Sequence, residues 1–164
     1  MSPRIGLGYD VHPFAAGRAL VLGGETVPHA QGLSGHSDAD ALTHALADAI
    51  LGALALGDLG AHFPDTDARW KGARSLALLS EVVALAKDRG YGVGNVDATI
   101  VTEAPRLSSH VPAMRANLAD TLGIPLERVS VKATRPEKLG SLGRGEGLAV
   151  HAIALMVPIH EVPR

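Results

Sequence analysis

Hydrophobic positions along this chain recur with two different spacings, and the spacing changes from segment to segment. From Ser37 to about Ala55, apolar Leu42, Ala45, Leu46, Ala49, Ile50, Ala53 and Leu54 fall at the three- and four-residue intervals of one helix face. Asp38 stands where an N-cap belongs. A second stripe of Leu76, Leu79, Val83 and Leu85 or Ala86 predicts a helix over 73–89, with Gly90 at the C′ position. A third helix is predicted over 110–122, closed by Gly123. Between these segments the pattern reads as strands at Arg4–Tyr9, at Ala19–Leu22 ahead of a Gly23-Gly24 turn, at Asn95–Thr102 and at Arg128–Ala133. Leu148–Val157 is almost wholly apolar, which predicts a central strand buried on both faces. Residues 57–72 are punctuated by Gly, Pro and Asp and read as a loop. With no repeat, linker or low-complexity segment, residues 1–164 read as one domain, an α/β fold of two or three layers with a mixed sheet.

Composition narrows the partners. The net charge is -2 and no basic stripe is present, so nucleic acid is not expected. No apolar run approaches the ~18–20 residues of a membrane span. The first residues lack the apolar core of a signal peptide, so a cytoplasmic protein is expected. One Trp, two Tyr and two Phe are too few for a base-stacking platform. The chain has no cysteine, which removes disulfides and thiolate metal sites. Any metal must be held by His, Asp and Glu, a ligand set suited to zinc, magnesium or manganese.

The 36–49 stretch is where such chemistry concentrates. It places His36, His44, Asp38, Asp40 and Asp48 in an Ala/Leu-rich segment, with Asp40, His44 and Asp48 on one helical stripe. Charged groups beside a core are costly without a partner, and a metal ion or phosphate ester would serve. In Gly8-Tyr9-Asp10-Val11-His12, strand alternation puts Asp10 and His12 on one side and Val11 on the other. Together with His44 they form an Asp, His, His set that leaves a fourth tetrahedral position open, as in a catalytic zinc site. The plainer reading is that Asp10 and His12 bond loop backbone. His36 and Ser37 precede a helix start and can bind an anion there, or Ser37 or Asp38 can simply cap the helix. Asp48 reads as an orienting group for His44 or for backbone, or as a solvated acid. The acidic loops Asp58-Leu59-Gly60 and Phe63-Pro64-Asp65-Thr66-Asp67 can accept from polyol hydroxyls, or form an Asx turn. Lys132 to Gly140 offers cations and a hydroxyl to phosphates, and a carboxylate to a divalent cation. The glycines of 143–147 permit close approach by a ligand or a neighbouring subunit, though neither glycine run matches a phosphate-binding fingerprint.

Taken in order, these blocks resemble the 2-C-methyl-D-erythritol 2,4-cyclodiphosphate synthase family of the non-mevalonate isoprenoid pathway. They are Gly-Tyr-Asp-Val-His at 8–12, His-Ser-Asp-Ala-Asp at 36–40, His-Ala-Leu-Ala-Asp-Ala at 44–49, Gly-Asp-Leu-Gly at 57–60, Phe-Pro-Asp-Thr-Asp at 63–67, Lys-Ala-Thr at 132–134, Glu-Lys-Leu-Gly at 137–140 and Gly-Arg-Gly-Glu-Gly at 143–147. The resemblance runs from about Arg4 to Met156. It implies an α+β domain whose mixed sheet is covered by helices on one face, assembling as a homotrimer with active sites between subunits. It implies a phosphorus–oxygen lyase that closes the 2-phosphate of 4-diphosphocytidyl-2-C-methyl-D-erythritol 2-phosphate onto the β-phosphorus and releases CMP. By position, Asp10, His12 and His44 would hold zinc, and Glu137 a magnesium or manganese ion bridging the α- and β-phosphates. His36 and Ser37 would bind the 2-phosphate, with His36 stabilising the transition state. Asp58, Leu59, Gly60 and the loop Phe63, Pro64, Asp65, Thr66 and Asp67 would hold the methylerythritol. Thr102, Glu103, Ala104, Pro105, Arg106, Leu107 and Ser108 match the cytidine pocket. Lys132, Thr134 and Arg135 would sit by the α-phosphate and ribose, flanked by Pro136. Val11 and Ser141 fall among the remaining contact positions. Arg144 would line the threefold axis, where an isoprenoid diphosphate is an expected partner. Three departures stand out: Arg106 replaces a common lysine, Arg135-Pro136 interrupts a common threonine run, and Ser141 replaces a common aromatic residue. Arg135 then takes over a transition-state role usually assigned to a hydroxyl. Two other classes fit the residues alone. One is a zinc phosphohydrolase with water as nucleophile, and the other a non-catalytic, metal-stabilised trimer that binds isoprenoid diphosphates.

Overall fold

A computed structural model describes residues 1–161. The strands are β1 (Arg4–Ala16), β2 (Leu20–Leu22), β3 (Glu25–Val27), β4 (Gln31–Leu33), β5 (Tyr91–Val101), β6 (Val129–Thr134) and β7 (Gly147–Pro158). The helices are α1 (Ala41–Ala53), α2 (Leu59–His62), α3 (Ser75–Asp88), α4 (Val111–Leu122) and α5 (Gly140–Gly143). Five strands form one sheet in the order β4-β1-β7-β5-β6, and β2 and β3 form a separate hairpin. β5 and β6 run parallel across the α4 connection while the other neighbours are antiparallel, so the sheet is mixed as expected.

α1 is the axis of the core. Leu42, Leu46, Ile50 and Leu51 are fully enclosed between the sheet and α3. The helix lies directly on β1, because a side chain at Gly6 would sit 1.9 Å from the carbonyl oxygen of Ala49 and one at Gly8 1.8 Å from that of Ala45. Only glycine allows so close an approach. The same side of β1 continues from Gly8 to Asp10 and His12, which therefore face the N-terminal end of α1.

Three expectations need correcting. α1 begins at Ala41, not Ser37, because Ala39 has φ +55° and cannot lie inside a right-handed helix. Its N-cap is Asp40, which accepts from Thr43 N–H, and not Asp38. β7 is the middle strand, but only one of its faces is covered along its whole length. Leu148 to Val150 are enclosed, whereas beyond them Ala152, Ala154 and Met156 alternate with outward-facing His151 and Ile153. The reason is architectural. The helices pack on one side only, so the structure has two layers, and the opposite face is open. That face carries Ile5 (70% exposed), Leu7 (66%), Tyr9 (51%), Val11 (49%) and Ile153 (43%), an apolar patch across the two central strands.

Candidate active site

Asp10, His12 and His44 meet where β1 passes the first turns of α1. Asp10 Oδ2 lies 2.8 Å from His12 Nε2 and 3.2 Å from His44 Nδ1. Among the described residues this is the one group of three potential metal ligands gathered within 4.8 Å of one another. Behind His12, Nδ1 donates to the Ser34 carbonyl at 2.6 Å, which leaves Nε2 as the ring's forward nitrogen. Behind His44, Nε2 contacts Ser75 Oγ at 2.8 Å and Ser37 Oγ at 3.2 Å.

The electrostatics are those of a carboxylate held between two imidazoles. Burial disfavours the charge on Asp10, but hydrogen bonds from His12 and His44, reinforced by their charge, outweigh it and hold the carboxyl at about 2. The bond to Asp10 raises the pKa of His12 above its ordinary value; burial opposes this and the charge of Asp10 assists it. The shifts keep Asp10 negative and favour a proton on His12 beside it. A carboxylate oxygen and two imidazole nitrogens fit a divalent zinc-type cation, which would take the place of the His12 proton.

The stripe of Asp40, His44 and Asp48 divides into three separate tasks. Asp40 is fully buried and accepts from the N–H groups of Gly23, Gly24 and Thr43 and from the Thr43 hydroxyl, a structural cap that ties the Gly23-Gly24 turn to α1. Its carboxyl is pushed up by burial in spite of those bonds. Asp48 accepts from Leu59 N–H at 2.7 Å, so it orients backbone and not the imidazole. Burial raises its pKa, the Leu59 bond opposes, and the negative charges of Asp58 and Asp10 add to the rise.

Next to His44 lies a cavity of about 150 Å³ lined by His36, Ser37, Leu59, Gly60, Phe63, Asp65, Trp70 and Leu78. The His36 side chain is exposed there and has no hydrogen-bond partner among the described residues. Ser37 Oγ also accepts from Ala39 N–H. Several predicted members of this loop have other work. Asp58 caps α2 by accepting from Ala61 N–H, and Asp67 pairs with Arg69 at 2.6 Å while capping the turn at 68–70. Pro64 and Thr66 are not among the lining residues. Trp70, which meets Phe63 edge-on with ring centres 5.0 Å apart, was not legible as a site residue, and neither was Leu78.

A second cavity, of about 230 Å³, opens at the ends of β5 and β6. It is lined by Thr102, Pro105, Arg106, Leu107, Ser108, Ala133, Thr134 and Arg135. Thr102 Oγ1 donates to the Ala104 carbonyl, and the Glu103 carboxylate accepts from Lys138 N–H at 3.1 Å. That bond anchors a turn in which Glu137 and Lys138 both hold positive φ, at 54° and 61°. Two consecutive non-glycine residues at positive φ are uncommon. Glu137 is exposed, beyond Pro136. Lys132 does not join this cavity, because it projects from the open sheet face and its Nζ binds both oxygens of Asp97 at 2.5 Å. Ser141 lines a shallow third hollow with Val11, His12 and Glu146, and Arg144 pairs with Glu146 at 2.6 Å. The Asp10 cluster and the cavity at β5 and β6 lie at different strands of the sheet. The row Asp10, Val150, Ile100, Ala133 crosses four neighbouring strands, which separates them by roughly 14 Å.

Known proteins are similar to this chain in sequence and in fold. A curated relative from Thioalkalivibrio sulfidiphilus, named 2-C-methyl-D-erythritol 2,4-cyclodiphosphate synthase, is 61% identical over 153 residues, covering 93% of this chain and 96% of its own. The bifunctional IspDF from Campylobacter jejuni superposes with a TM-score of 0.90 at 42% identity, covering 94% of this chain and 42% of that one. The IspF of Plasmodium falciparum in complex with CDP superposes with a TM-score of 0.84 at 31% identity, covering 96% and 97%. The profile of the YgbB family matches residues 3–157, and the chain belongs to that family.

Proposed function

We propose that the chain catalyses the cyclisation named in its relatives: conversion of 4-diphosphocytidyl-2-C-methyl-D-erythritol 2-phosphate to 2-C-methyl-D-erythritol 2,4-cyclodiphosphate and CMP. An oxygen of the 2-phosphate bonds to the β-phosphorus. The bond from that phosphorus to the α–β bridging oxygen breaks, and CMP leaves with the bridging oxygen and its electron pair. Nucleophile and electrophile belong to one anionic molecule, so the barrier is alignment and charge, and no side-chain nucleophile is required. The observation that carries this reading is the convergence of Asp10, His12 and His44 beside a cavity that also holds His36 and Ser37.

Asp10, His12 and His44 would hold zinc, and when bound it would act as a Lewis acid on the β-phosphate. Glu137 would supply one carboxylate oxygen to magnesium or manganese. A single exposed acid suits a cation whose other ligands come from the substrate's phosphates and water. His36 donates to the 2-phosphate and steadies its charge as it closes on the β-phosphorus. Leu59, Gly60, Phe63 and Asp65 wall the methylerythritol portion away from bulk water. Arg106 and Arg135 are exposed and unpaired among the described residues, which leaves both guanidinium groups available to the nucleotide's phosphate and ribose. Backbone groups of the Thr102–Ser108 segment read the cytosine edge.

The working unit we propose is a homotrimer. The open apolar sheet face must be covered, and covering it with neighbouring copies would set the metal half of one subunit beside the nucleotide half of the next. Arg144, at the rim of that face, would meet an isoprenoid diphosphate on the axis. Among the described residues no helix is long and apolar enough to cross a membrane, and we place the reaction in the cytoplasm.

The test is incubation of the purified protein with the cytidyl substrate, zinc and magnesium in ¹⁸O-water, followed by phosphorus NMR and mass spectrometry. Cyclisation predicts CMP and a cyclic diphosphate, both unlabelled. Label entering the phosphate products would mean hydrolysis and would overturn the reading.

A further inference from the structure

The rear of His44 is held by two groups that the proposed reaction leaves unused. Ser75, the first residue of α3, is fully buried, and its hydroxyl sits between the Asp38 carboxylate and His44 Nε2. Asp38 accepts three donors: the Ser75 hydroxyl, Ser75 N–H at 3.0 Å and Asp40 N–H at 3.2 Å. Its own N–H donates to the Ala73 carbonyl, so Asp38 clasps the start of α3 from both sides. A hydroxyl has one proton. Given to Asp38, that proton leaves Ser75 Oγ with only lone pairs to offer His44, 2.8 Å away. Nε2 must then be a donor, which makes Nδ1, on the Asp10 side, the nitrogen whose lone pair a cation can take. Ser37 Oγ, which already accepts from Ala39 N–H, is a longer second acceptor at 3.2 Å.

We propose that Ser75, aligned by Asp38, is a positioning residue of the metal centre: it fixes His44 in the Nε2–H form and turns Nδ1 toward Asp10 and His12 as the metal donor. His12 is fixed from behind in the same sense by the Ser34 carbonyl. The difference is that the His44 support is a side-chain relay, ending on the Asp38 carboxylate. Groups of this kind behind a metal-bound imidazole contribute about 10–100-fold to affinity. The relay also joins the contiguous 36–40 turn and α1 to α3, more than 30 residues on, so that packing of α3 sets the ring plane of a ligand on α1.

This inference rests on the zinc reading above, and its test separates the two. Zinc affinity is measured by chelator competition for the wild type, Ser75→Ala and Ser75→Thr, alongside two-bond nitrogen–proton NMR of the zinc-loaded wild type carrying labelled histidine. The expected results are a loss of about 10–100-fold in Ser75→Ala, recovery to within a few-fold in Ser75→Thr, and a His44 ring protonated at Nε2 with Nδ1 on the metal. A merely structural Ser75 would alter thermal stability but leave both affinity and protonation site unchanged, and that outcome overturns the proposal. If Ser75→Ala does not fold, the wild-type spectrum decides alone, since a zinc bond through Nε2 sinks the relay. A wild type that binds no zinc would fail the underlying metal reading instead.

Discussion

The two half-sites of this chain are built on opposite principles. At the β1–α1 end every imidazole and carboxylate of the triad is already held: His12 by Ser34, His44 by Ser75, and Asp10 between the two rings. At the β5–β6 end, Arg106, Arg135 and Glu137 stand exposed and unpaired among the described residues, and only the turn beneath them is anchored, through Glu103. On the function proposed above, one end is pre-organised for a small, rigid ligand and the other is left free for a larger, charged one. A metal ion gains affinity from fixed donors, whereas a nucleotide diphosphate brings its own charge to order flexible cations.

That contrast can be broken in a definite order. His44→Ala should abolish zinc binding and lower turnover by at least ~10³-fold, since it removes a ligand from a centre with only three. A zinc-loaded, active variant would refute the ligand assignment. Gly8→Ala should come next. Its methyl would lie 1.8 Å from a backbone carbonyl of α1, so the helix must lift off β1. About 1–3 kcal/mol of stability should be lost, and zinc affinity should fall with it as His44 withdraws from Asp10. Arg135→Ala should behave differently, raising KM for the cytidyl substrate by about 10-fold or more through one lost charge-assisted contact, while leaving zinc affinity unchanged. A matching loss of zinc would erase the division between the halves.

The metal half should also show the sharper pH response. In the metal-free protein His12 keeps its proton to a higher pH than an ordinary imidazole, because of Asp10. That proton must leave before a cation can bind, so zinc affinity should climb as pH rises through the raised His12 value, by up to about 10-fold per unit, and level off above it. Chelator competition between about pH 5.5 and 8.5 would record the rise. An affinity flat across that range would contradict the coupling. The smallest effect belongs to Trp70. It is the only tryptophan and it lines the cavity beside His44, so its fluorescence should change when the cytidyl substrate enters and stay constant when zinc alone is added.

How much of this could be read from the sequence follows the same divide. The Asp-x-His of β1 and the helical His44 were legible because alternation and helical period fix which side each residue faces. The two glycines that let α1 settle on β1 carry no such signal, since a close approach depends on what packs there. The 36–49 stretch looked like one acidic stripe, but Ala39 at positive φ moves the helix start to Ala41 and frees Asp38 to bond Ser75, 37 residues away. Asp38 and Ser75 were therefore invisible as a pair. β7 read as buried on both faces because its apolar content is real, yet His151 and Ile153 point to the side that no helix covers, and apolar content alone cannot tell one covered face from two. The resemblance groups Lys132 with Thr134 and Arg135, but Lys132 faces the other side of the sheet, because strand alternation turns it away from Ala133 and toward Asp97.

Crystals grown with zinc and CDP, with data collected at the zinc absorption edge, test the central claim most directly. The account predicts an anomalous peak bonded to Asp10 Oδ2, His12 Nε2 and His44 Nδ1, with the cytidine lying in the Thr102–Ser108 cavity of an adjoining copy. Zinc held by other residues, or a nucleotide seated away from that cavity, would contradict it.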